Sequence, residues 1–290
     1  MSVEPATESE TSTQSREAEG VTRPLREIEL RQFLESLAGA LTFISLWQLA
    51  AVAVGRTYLL PSPVEVITAF VTELSATTTF TIPLTSVSLP ATRLTANLAQ
   101  SLFHYIPGLI VGSILGISLG IAMGWDRRLD TALTPVTRFL RPIPPLAWIV
   151  FAIVWIGIGH GGAAFIVGIC AFWINFYNAY AGVEGVSTHL QEVAASLGIK
   201  SDIGMVKKVI IPAASPSIMT GIRTSIGQCW MIVVAAELFG APGVGFQIIN
   251  AAQNLATDVS VAYMMVISLV FLVSDGIFRR VEKRILAWRA

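Results

Sequence analysis

Six apolar runs separated by polar connections set the pattern of this chain, at about 37–54, 103–125, 139–159, 162–184, 213–239 and 260–278. A helix of about 20 apolar residues crosses the hydrocarbon core of a bilayer, so each run predicts one transmembrane helix. Ahead of them, residues 1–35 contain eight acidic residues, four arginines and many Ser and Thr without an apolar run. That composition predicts a disordered, solvated tail, followed by one membrane domain over 36–290. The first apolar stretch follows an acidic lead, unlike a secretory signal, and reads as a retained membrane helix. Between the first two runs, Ser62-Pro63-Val64-Glu65 supplies an N-cap, a proline at the first helical position and a glutamate three residues after the cap. Ile67, Phe70, Val71 and Leu74 follow at helical spacing, which predicts a short amphipathic helix against the outer leaflet.

Composition agrees with a membrane protein. Of the 290 residues, 53% are hydrophobic and 13% charged, against about 25% charged in a soluble domain, and the mean hydropathy is +0.67. The charges are unevenly placed. Lys and Arg number four before the first run, four at 126–141, three at 185–212 and five from Arg279 onward, against two at 55–102. The positive-inside rule puts both termini and the 185–212 connection in the cytoplasm, and an even number of spans requires the same placement.

Several chemistries are excluded. A formal net charge of +0 gives no basic surface for nucleic acid. Cys170 and Cys229 lie inside apolar runs without CxxC spacing, and His104, His160 and His189 lie in different segments, so neither a disulfide scaffold nor a metal site is expected. The glycines around His160 have no preceding strand and no following Lys-Ser/Thr, which argues against nucleotide or another cofactor there. No nucleophile–base or carboxylate pair emerges in the spans, so no catalytic residue is expected and the chain reads as not an enzyme.

The loop at about 187–212 is the most informative connection. Thr188-x-x-Gln191 has capping-box spacing, Leu190, Val193, Ala194 and Leu197 form one apolar stripe, and Gly198 suits the left-handed position that ends a helix. A two-turn helix is too short to stand alone, so bilayer, spans or another protein must cover its apolar face.

Glu192-Val193-Ala194-Ala195-Ser196-Leu197-Gly198, followed by Val209-Ile210-Ile211-Pro212, resembles the E-A-A-x-x-x-G…I-x-L-P loop of ABC importer permeases. Leu60-Pro61-Ser62-Pro63, Leu140 through Trp148, Trp155 through Gly159, Gly221-Ile222-Arg223, Ala236-Glu237-Leu238 and Glu282-Lys283-Arg284 are similar to the nitrate, sulfonate, taurine and bicarbonate branch of that family, over about 38–288. The resemblance implies an all-α, type I ABC importer permease fold with six transmembrane helices in the inner membrane. It implies import of a small solute, with an anion the expectation. It also implies a second permease copy as a homodimer, a separate ATP-binding subunit and an extracytoplasmic solute-binding protein, with lipid around the spans. ATPase coupling falls to Glu192, Val193, Ala194, Ala195, Leu197, Gly198 and Pro212. The chain departs from the pattern at Val193 (usually Ala), His104 (often Arg) and Ile174 (often Pro), and its Gly198-to-Pro212 interval is one residue longer.

Ionisable residues within a span usually face a bundle interior or an aqueous cavity. Arg223 and Glu237 are fourteen residues apart in the fifth run, close to four helical turns. With Gly227, Trp230 and Val234 they are expected to form one stripe along a translocation pathway, or else to pair with neighbouring helices. Asn175 and Asn178 are further pathway candidates, with helix–helix hydrogen bonding as the other possibility. From a different class, a stand-alone secondary transporter or channel would need coupling carboxylates. Only Glu237 and Asp275 offer them, and no internal repeat is evident.

Overall fold

The computed structural model describes residues 25–83, 85 and 87–285, in two compact units divided after Pro63. Most of the expected tail, residues 1–24, lies outside the described residues. The first unit carries helix α1, Leu25–Val54, in which Gln32–Val54 is long and apolar enough to cross a membrane. It starts at Leu25, inside the stretch 1–35 read above as a tail. Residues 25–35 are rich in Leu, Glu, Arg and Gln, good helix formers that extend a helix without needing burial. Beyond α1, the Trp47 indole donates to the Pro61 carbonyl at 2.9 Å.

The second unit opens with α2, Pro63–Ser75, where the cap signals placed it. A two-stranded antiparallel ribbon follows, β1 Thr77–Thr81 and β2 Ser88–Thr92, with Thr77 opposite Thr92. The apolar runs did not indicate this departure from an all-helical chain, although Thr-Thr-Thr-Phe-Thr is a strand-favouring sequence. Thr92 caps α3, Arg93–Trp125, in a reciprocal box with Thr95, which starts the helix ten residues before the apolar run at 103. Glu73 is buried on α2. It accepts from Arg93 at 2.8 Å and from the Tyr263 hydroxyl at 2.7 Å, fastening α2 to α3 and to the last helix.

The third apolar run is not one straight helix. It divides into α4 Arg127–Leu140, a 3-10 turn Pro145–Trp148 and α5 Ile149–Trp155, the two sides meeting at 88°. Pro142, Pro144 and Pro145 remove three backbone donors, and each disfavours helical geometry in the residue before it, so the helix cannot continue through them. The remaining elements are α6 His160–Glu184, α7 Thr188–Ser196, α8 Asp202–Met205, a π-turn Val206–Ile210, α9 Ile211–Glu237, α10 Val244–Gln253 and α11 Thr257–Ile285. Among the described residues, five helices are long and apolar enough to span, or six with the bent pair included.

The α3–α6 pair forms the spine of this unit. Gly108, Gly112, Gly116, Gly120 and Gly124 repeat every fourth residue along α3 and put its backbone against Ala164, Gly168, Phe172, Phe176 and Val183 of α6. A Cβ at any of the first four would overlap a carbonyl oxygen of α6. Between membrane helices, where burying apolar surface from lipid gains little, such close approach is the main source of cohesion. On the other side of α6, α9 packs through Gly182 and Gly221, and the Ser217 hydroxyl donates to the Asn178 carbonyl at 2.7 Å. Tyr105, Val167, Cys170, Ala171, Cys229, Trp230 and Val233 fill the space between these three helices.

Candidate functional site

Helix α7 is defined at both ends by local chemistry. Its N-cap is Ser187, whose hydroxyl accepts from the Leu190 amide at 3.4 Å, one residue earlier than the expected Thr188. Gln191 therefore sits one place too far along to close a capping box, and its amide reaches back to the Val186 carbonyl instead. At the other end the Gly198 amide bonds the Ala195 carbonyl and the Ile199 amide bonds that of Ala194, both at 3.1 Å. This is a Schellman closure, and Gly198 occupies it at φ +95°, where any Cβ is strained.

A single residue anchors this helix. Ala194, 6% exposed, enters a cluster with Ala179, Val183, Met205, Ile210, Ala214 and Ile218 at the ends of α6 and α9. The rest of the apolar stripe faces away from the protein, with Leu190 and Val193 exposed and Leu197 79% exposed. Glu192, Ala195 and Gly198 are exposed beside them. Pro212 is exposed at the start of α9, two residues after the end of the π-turn. The Ile211 amide there bonds the Val206 carbonyl, five residues back. A turn closed over five residues holds one residue more than an α turn.

The stripe on α9 is only partly realised. Arg223, Gly227, Trp230 and Val234 line one cavity of about 770 Å³ against α11, with Phe271 and Asp275 opposite. Arg223 Nε donates to Asp275 at 3.2 Å, and its Nη1 lies 3.9 Å from Glu282. Asp275 also accepts from Arg279 at 2.7 Å, so the charged end of the cavity is balanced. Trp230 presents only an edge there, because it is buried and stacked on Tyr105 with ring centroids 4.3 Å apart.

Glu237 does not line this cavity. Its carboxylate is wholly buried, facing His104 Nδ1 at 3.1 Å and accepting from the Gly245 amide at 2.7 Å. Fourteen residues at 100° each leave a 40° offset, enough to turn Glu237 off the stripe at the helix end. Asn175 is also buried away from the cavity, donating to Ser113 Oγ at 3.0 Å and to the Ala171 carbonyl at 2.8 Å. Asn178 is half-buried and donates to Ile174 one turn back. Both asparagines sit where α6 meets α9 at Gly221, outside the cavity lining. His104 and His160, which lie in different apolar segments of the sequence, are hydrogen-bonded at 2.6 Å. Among the described residues no group of three or more His, Cys, Asp or Glu is arranged to hold a metal ion.

Against known proteins, residues 108–287 match the family described as the binding-protein-dependent transport system inner membrane component. A protein of Methanocaldococcus jannaschii named as an ABC transporter permease is 35% identical over 91% of this chain and 93% of its own length. The Escherichia coli protein SsuC, named as an aliphatic sulfonates transport permease, is 35% identical over 84% of this chain and 88% of its own. Among solved structures, an inward-facing MetNI methionine ABC transporter contains a chain with a TM-score of 0.53 at 19% identity, covering 65% of this chain and 95% of that one. That likeness is one of fold.

Proposed function

This chain belongs to the family of inner membrane components of binding-protein-dependent transport systems, and from that premise we propose that it forms, with a second copy, the pathway of an ATP-driven importer for a small organic or inorganic anion. The sulfonate permease among its relatives makes alkylsulfonates the first solutes to test. The chain itself hydrolyses nothing. A separate ATPase pushes on α7 as its subunits close, and an extracytoplasmic binding protein delivers the solute. Both termini and α7 then lie on the cytoplasmic side.

One observation carries this reading. Helix α7 is held by Ala194 at the ends of α6 and α9 while Leu190, Val193 and Leu197 point outward. A nine-residue helix cannot sustain such a surface alone, so its attachment to two spans makes it a rigid knob able to pass force into α9, the helix that lines the cavity. ATP supplies the direction only if the ATPase holds α7 differently in its open and closed states.

The test is uptake of a labelled alkylsulfonate by proteoliposomes containing the permease, its ATPase and its binding protein. Accumulation that requires ATP and all three components is expected. Equal flux through the permease alone, without ATP, would replace this reading with a channel.

A further inference from the structure

The pathway reading leaves one buried polar cluster without a role. His160, His104 and Glu237 form a chain of hydrogen bonds at the end of the bundle opposite α7. Glu237 Oε1 lies 3.1 Å from His104 Nδ1, and His104 Nε2 lies 2.6 Å from His160 Nδ1. The two imidazole rings are 4.8 Å apart at their centroids. Burial decreases along the chain, since Glu237 and His104 are 0% exposed while His160 is half-buried at the first turn of α6. We propose that this chain is a proton-binding site, filled from the extracytoplasmic solution through His160, whose proton comes to rest on buried His104 beside Glu237. The side it opens to rests on the orientation given above.

The proton movement balances. In the empty state His104 carries its proton on Nδ1, directed at Glu237, and its Nε2 accepts from His160 Nδ1–H. A solvent proton adds to His160 Nε2, and the Nδ1 proton of His160 passes to His104 Nε2. His160 ends neutral and His104 ends as an imidazolium that donates to both neighbours. One proton is taken up, and its positive charge has moved from the half-buried ring to the fully buried one.

The surroundings favour that final position. A buried carboxylate without a counter-charge is costly, and an imidazolium at hydrogen-bond distance compensates it. α3 contributes His104 and α9 contributes Glu237, while α10 offers the Gly245 amide and no side-chain charge. Residues 149–159, which precede His160, contain no ionisable side chain, and Phe103 packs edge-on to the His160 ring. Among the described residues the charge thus has one partner. Because Glu237 also caps the backbone turn into α10, proton binding ties together α3, α6, α9 and α10 at this end.

Histidine-¹⁵N spectra of the full-length permease in lipid nanodiscs test the assignment. The chain has three histidines, so single variants assign every signal. On acidification the charged signal should appear at His104 before the more exposed His160, and Glu237→Gln should weaken proton binding at His104 at least tenfold while leaving His189 unchanged. His160→Asn, which keeps a hydrogen-bonding atom at the Nδ1 position, should change the His104 signals. Charge appearing first at His160, or His104 titrating identically in wild type and Glu237→Gln, would overturn the proposal. These spectra need no transport, so a failure of the importer reading leaves them decisive.

Discussion

Arg223 stands at the charged end of the cavity, its side chain partly solvated and paired with Asp275 at 3.2 Å. A half-solvated pair of this kind adds little to stability, because solvent screening and side-chain ordering offset its attraction. Arg223→Ala should therefore leave thermal unfolding of the purified permease within a few degrees of wild type, because Arg279 still holds Asp275. Uptake should fall several-fold, and Arg223→Lys should restore part of it, since the charge returns without the planar donor fork. Unfolding temperature and uptake on the same preparation separate this from a purely structural role, in which both would fall together. The sequence indicated Arg223 because a charge in a span is unusual. It did not indicate that Glu237, on the same helix, is turned inward onto His104, because that contact joins residues 133 positions apart.

At the scale of elements, the glycine ridge of α3 makes the clearest demand. Gly116 faces the backbone of Phe172 so closely that any side chain must push the helices apart. Gly116→Leu should cost about 1–3 kcal/mol through overpacking, read as an earlier unfolding midpoint in detergent, whereas Gly39→Leu, with open space around it, should have little effect. The ridge was present in the sequence as glycines at every fourth position from 108 to 124, the small-residue spacing of membrane helix pairs. Hydropathy alone does not register it, because glycine is nearly neutral. The same limit applies to the third run, where the apolar stretch at 139–159 reads as one segment although three prolines divide the backbone. The ends of α7 were better marked. Gly198 gave its C-terminus correctly, whereas the N-cap read at Thr188 falls on the preceding hydroxyl, Ser187. Leu197→Asp should remove ATPase binding in co-purification without changing insertion, because Leu197 is largely exposed.

At the scale of the whole molecule, apolar residues remain exposed along α3 and α11, among them Ile110, Ile114, Leu269 and Val273. Surface of this kind suits lipid and a second permease copy. Charge distribution set the expected topology more firmly than any contact could, since sixteen of eighteen Lys and Arg outside Arg223 fall on one side of the six runs. Cysteines introduced at Lys200 and at Glu65 should accordingly label from opposite faces of sealed vesicles, with Lys200 reached only from the cytoplasmic face. The central claim is that α7 transmits the ATPase stroke, and Gly198→Val tests it most directly, because a β-branched residue at φ +95° disrupts the closure of α7, while its Cβ has no atom of the described residues within 4 Å. The measurement is ATP hydrolysis by the reconstituted complex with and without solute-loaded binding protein, at matched amounts of inserted permease. The account predicts that stimulation by the loaded binding protein is lost in Gly198→Val; stimulation equal to wild type would contradict it.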